Sequence, residues 1–95
     1  EGLISKYRAV GAKLKRQTRS PYQRTGERLE YLAGRLEQNP DINPNSDDYG
    51  DILTCLGLTG KSRWIAMQIR NDPYMTVYEV KTKILPMKRH VYVRR

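Results

Sequence analysis

Ninety-five residues suffice for one domain but not two, and with 38% hydrophobic and 29% charged residues the chain is lean without having a disordered composition. Eighteen Lys and Arg against ten Asp and Glu leave a formal net charge of +8, which points to nucleic acid, anionic lipid or an acidic protein as partner. No apolar run approaches the roughly 18 residues of a membrane span, and the single cysteine excludes an intrachain disulfide or a cysteine metal cluster.

That cysteine usage and the lack of a signal-peptide pattern fit an intracellular setting, the cytoplasm of a prokaryote or a nucleus. Glu1 in place of Met fits a domain cut from a longer protein. With no Phe and one Trp, the seven Tyr supply most of the aromatic bulk, and their hydroxyls place several of them at the edge of the core. Cys55 reads as a buried thiol. Charge is segregated: residues 3 to 24 carry seven basic groups and no acid, and residues 37 to 51 carry five acids and no base.

Residues 1–19 read as a basic N-terminal helix, helical over about 3 to 17. Leu3, Tyr7, Val10 and Leu14 recur at intervals of four, three and four and share one face, although Gly2 and Gly11 weaken the helix. Lys6, Lys13, Lys15, Arg16 and Arg19 form a secondary basic patch on this segment. The apolar stripe either docks on the core or pairs with a second copy to make a homodimer, which would suit a two-fold operator.

Residues 20–39 hold the longest helix, over 21 to 38. Ser20 is placed as N-cap, Pro21 at the first helical position and Gln23 where a capping box needs it. The stripe Tyr22, Gly26, Leu29, Leu32, Ala33 and Leu36 forms the inner face until Asn39 and Pro40 end the helix. Arg24, Arg28 and Arg35, interleaved with Glu27 and Glu30, form a solvated face. A connecting loop with two X-Pro steps follows, from Asn39 to Ser46.

Residues 46–71 read as a helix-turn-helix pair. Ser46 or Asp47 caps the first helix, Ile52, Leu53 and Leu56 are buried, and Gly57 closes it. Thr59 caps the second, which runs to about Asn71 with Leu58, Ser62, Ile65, Ala66 and Ile69 inward and Lys61, Arg63, Met67 and Arg70 outward. With Gly57 at the turn, the usual spacing asks for apolar residues at positions 63 and 66. The chain offers Ile65 and Ile69 instead, so the turn must be about two residues longer, as winged variants tolerate.

Residues 74–95 admit two readings. Tyr78, Val80, Thr82 and Ile84 alternate with Glu79, Lys81 and Lys83 as in a strand, while Tyr74, Val77, Tyr78, Lys81 and Ile84 fit a helix. The strand is favoured because Val91-Tyr92-Val93 also reads as a strand and needs a partner, giving a hairpin that turns at Pro86-Met87-Lys88-Arg89. The expected fold is therefore mainly α with a small C-terminal β-hairpin, similar to a winged helix-turn-helix; the alternative is an all-α helical bundle.

Catalytic and metal chemistry find little support. The segment Leu53 to Ser62 ends like a phosphate-binding loop, but its first glycine would fall at Cys55 and the preceding segment is helical rather than a strand. His90 has no second ligand at metal spacing, and Asp47, Asp48 and Asp51 lack the glycine and glutamate of a calcium loop. The expectation is no enzyme, no metal and no cofactor.

The basic surface remains. In a winged helix, Lys61, Arg63, Gln68 and Arg70 would lie on the recognition helix, where Arg can read guanine and Gln adenine while Lys neutralises phosphate. Thr59 and Ser62 would donate to phosphate at the helix start, and Lys81, Lys83, Lys88, Arg89, His90 and Arg94 would supply the wing. The expected function is sequence-specific or structural binding of double-stranded DNA in transcription regulation, replication or DNA segregation, with no membrane partner. The alternative is a protein-interaction module whose basic face meets an acidic partner or RNA.

Overall fold

The computed structural model describes residues 2–17 and 20–84, the side chains of Ser20 and Pro21 excepted. Among the described residues every regular element is helical: α1 (Gly2–Lys15), α2 (Ser20–Gln38), α3 (Tyr49–Cys55), α4 (Gly60–Asn71) and α5 (Val77–Glu79). The last continues directly into a π-helical turn, Val80–Ile84. No helix among them is long and apolar enough to cross a membrane.

The helices α1 and α2 pack as a hairpin, and two glycines set how closely they approach. A Cβ added at Gly26 would meet the Gly11 carbonyl oxygen at 2.6 Å and the Lys15 nitrogen at 2.8 Å, and one at Gly11 would meet the Gly26 carbonyl oxygen at 2.8 Å. Backbone lies against backbone here, so neither glycine can be replaced without separating the helices. Gly11 costs helix propensity, and what it supplies in return is this close approach. The outer edges are joined by ion pairs, Arg8 to Glu37 and Lys15 to Glu30, the latter at 2.8 Å.

The helical stripes read from the sequence are the core. Tyr7, Val10 and Leu14 from α1, Leu29, Leu32, Ala33 and Leu36 from α2, and Ile65, Ala66 and Ile69 from α4 are all buried, with Leu53 and Leu58 between them. Of the two uses open to the α1 stripe, it docks on the core. At the end of α3, Gly57 takes φ +95°. The Leu58 N–H donates to the Leu53 carbonyl at 2.9 Å and the Gly57 N–H to that of Thr54 at 3.0 Å, so the last carbonyls of the helix are satisfied. The Arg28 guanidinium donates to the Gly57 carbonyl. The N-cap of α3 is Asp48 rather than Ser46 or Asp47, and its side chain makes no capping bond.

Two tyrosines run against the expectation for their type. Tyr7 and Tyr49 are fully buried, and their hydroxyls lie 2.9 Å apart. The Tyr7 hydroxyl donates to the Ala66 carbonyl at 2.9 Å, so the proton between the two rings belongs to Tyr49. This relay ties α1, α3 and α4 together through the centre of the core. Cys55, expected to be buried, is exposed on α3.

The C-terminal β-hairpin is overturned for the residues described. A strand would put Tyr78, Val80 and Ile84 on one face, yet Val80 and Ile84 are buried while Tyr78 is 73% exposed. Burial four residues apart is helical. A capping box starts the helix. Thr76 Oγ1 accepts from the Glu79 N–H at 3.0 Å, and the Glu79 carboxylate accepts from the Thr76 N–H at 2.9 Å. Thr82, counted toward the strand for its β-branch, donates its hydroxyl to the Tyr78 carbonyl at 2.9 Å, which a helix allows. The winged fold falls with the first strand of its wing. The second strand and the turn at residues 86 to 89 lie outside the described residues.

Candidate nucleic-acid interface

The presumed recognition helix, α4, uses its arginines to hold the fold. Arg63 Nε donates to the Gly50 carbonyl at 2.9 Å, and its guanidinium lies so close that a Cβ on Gly50 would meet Nη2 at 2.5 Å. Arg70 Nη1 donates to the Pro44 carbonyl at 2.7 Å and Nε to Asn71 Oδ1 at 2.9 Å, with the guanidinium 5.5 Å from the centre of the Tyr49 ring. Lys61 sits 5.7 Å from the centre of the Tyr22 ring. Both arginines named as outward groups are half-buried, as is Gln68. Met67, also placed outward, packs against the core.

The start of α4 differs in detail from expectation. Thr59 is the N-cap residue, but its side chain makes no capping bond. Ser62 is buried, and its hydroxyl donates to the Thr59 carbonyl at 2.8 Å. Its one proton is therefore committed within the protein.

The secondary patch on the N-terminal helix divides in two. Lys15, like Arg8, faces α2 and is held by a carboxylate; the hydrogen bond to Glu30 raises the Lys15 pKa, and that to Arg8 lowers the Glu37 pKa. Lys6, Lys13 and Arg16 lie elsewhere. Their spacing of seven and three, with Ala9 between, places them along one outer line that runs down α1 and onto the turn just after it, about 15 Å long. Among the described residues no carboxylate lies within ion-pair distance of these three.

Of the cations assigned to the wing, Lys81 is half-buried and Lys83 lies 3.8 Å from Glu79 across one helical turn. Lys88, Arg89, His90 and Arg94 lie outside the described residues, as does Arg19. Among the described residues no three His, Cys, Asp or Glu side chains gather where they could hold a metal ion.

Beside the α1 line lies a groove of about 580 Å³ that no pattern in the sequence announces. Leu3, Lys6 and Ala9 of α1, Pro44 of the connecting loop, Arg70 of α4 and Pro73 and Tyr74 of the following turn line it. A helical wheel cannot show it, because its walls come from three segments far apart in the chain. The one local signal is Asp72-Pro73, a turn that leaves the next side chain outside the packed helices. Comparison with known protein families, with curated proteins and with solved structures finds no match to this chain.

Proposed function

We propose that this domain is a non-catalytic binder of nucleic acid, with duplex DNA as first candidate, serving transcription control, replication or DNA segregation. The observation that carries the reading is the line Lys6, Lys13 and Arg16 along α1 and the turn just after it, three cations with no carboxylate within ion-pair distance among the described residues, on a chain of net charge +8. Cations at this spacing neutralise phosphates and release their counterions, a contribution that depends on charge and not on base sequence. The arginines of α4, which hold backbone carbonyls, are weaker candidates for reading bases.

The test is fluorescence anisotropy of labelled duplex DNA at several salt concentrations. The wild-type protein should bind with affinity falling steeply between about 50 and 200 mM salt. The Lys6→Gln, Lys13→Gln, Arg16→Gln triple variant should reduce the slope of log K against log salt by about 3, roughly one unit for each phosphate that is no longer neutralised. An unchanged slope would remove α1 from the interface. No binding at the lowest salt would favour an acidic protein as the partner of the basic face.

A further inference from the structure

We propose that the groove beside α1 accepts an unpaired nucleobase against Tyr74, so that this domain prefers single-stranded nucleic acid to duplex; the inference rests on the nucleic-acid reading above and, within it, ranks the single strand ahead of the duplex named there first. The groove volume of about 580 Å³ lies within the roughly 300 to 1,000 Å³ of small-ligand sites, and its lining is mostly apolar. Tyr74, which lines it, is 90% exposed. Tyr78, in the helix that begins after the turn, is 73% exposed.

The backbone that carries these rings is held in place. The Met75 N–H donates to the Asp72 carbonyl at 3.1 Å, closing the turn that carries Pro73 and Tyr74. The Thr76 and Glu79 capping box then fixes the start of the helix that carries Tyr78. A planar ring on an anchored turn gives up little freedom when a base stacks on it.

The charges beside the groove suit the same ligand. Lys6 belongs both to the groove lining and to the outward line of α1, and Arg70, held by the Pro44 carbonyl, lines the groove with a second positive charge. A strand with one base beside Tyr74 can lay its phosphates over Lys6, then Lys13 and Arg16. Stacking on an aromatic ring next to a cationic track is how single strands are bound without sequence preference. A duplex, with its bases already stacked inside, offers such a groove nothing.

The experiment measures anisotropy of a labelled mixed-sequence DNA of about 20 nucleotides, single-stranded and as the duplex, with the full chain at about 50 mM salt. Wild type should bind the single strand more tightly. Tyr74→Ala should weaken single-strand binding by about tenfold while changing duplex binding little, and Tyr74→Phe, which keeps the ring, should retain the wild-type preference. Because the side chain is exposed, the substitutions leave the core untouched, and thermal melting of each variant checks this. Salt-dependent binding that is equal for both DNA forms, or indifferent to Tyr74→Ala, would overturn the groove and leave the phosphate reading standing. Failure of wild type to bind either form would overturn both, and Tyr74-dependent binding of polyglutamate instead of DNA would reassign the groove to an acidic peptide.

Discussion

The hydroxyl of Tyr7 sits where a phenylalanine would be expected, at the meeting of three helices, and it is worth keeping only because both its hydrogen-bonding capacities are used. Tyr7→Phe leaves the Ala66 carbonyl and the Tyr49 hydroxyl without their partner in a dry core. We expect a loss of about 1 to 3 kcal/mol in urea unfolding, with the fold retained. The pair also makes stability sensitive to alkali. Burial, foremost, raises both tyrosine pKa values above the ordinary one. A raised folded value means that the stabilisation is complete below the unfolded pKa of about 10 and declines as pH climbs beyond it, because only the unfolded chain then releases these protons. Thermal melts should therefore fall steeply above about pH 10, and Tyr7→Phe should flatten that fall. Arg63 and Arg70 carry the opposite lesson. Their spacing suggested base readers, yet Arg63 meets a carbonyl 13 residues away and Arg70 one 26 residues away. No local pattern announces such partners.

Among the helices, α2 offers a paired test of what its glycines do. Gly26 has backbone atoms within 3 Å of where a Cβ would stand, whereas Gly34 has nothing within 4 Å. Gly34→Ala should therefore stabilise by up to about 1 kcal/mol through helix propensity alone. Gly26→Ala gains the same propensity but must push α1 away, and should destabilise by about 1 to 3 kcal/mol net. Denaturant melts of the two variants give opposite signs if the close crossing is right. The stripes of α1, α2 and α4 were legible because each buries one face at helical period, and the closing Gly57 because a left-handed turn favours glycine. Residues 77–84 were not, since alternation and helical spacing both fit so short a run, and what decided was the capping box that the strand reading overlooked. Thr76→Ala should lower helical circular dichroism and loosen the turn bearing Tyr74. The Glu79 carboxyl, held below its ordinary pKa chiefly by the Thr76 N–H, supports this cap above about pH 4 and ceases to as pH falls further.

For the molecule entire, the charge of +8 and the sorting of apolar positions into helical faces were present in the chain order, and these dictated a small helical core beneath a basic surface. Both are additive or local properties, so no tertiary neighbour had to be known to read them. Charge by itself did not say which cations would be free to act. Folding spends Arg8 and Lys15 on carboxylates of α2, Arg28, Arg63 and Arg70 on carbonyls, and leaves Lys6, Lys13 and Arg16 in a line. It also assembles a groove from α1, the loop at Pro44 and the turn at Tyr74, segments that meet only once the helices have packed. Periodicity and capping are written within a few residues of one another, whereas the partner of a charge or the wall of a groove is supplied by whichever distant segment packing brings alongside.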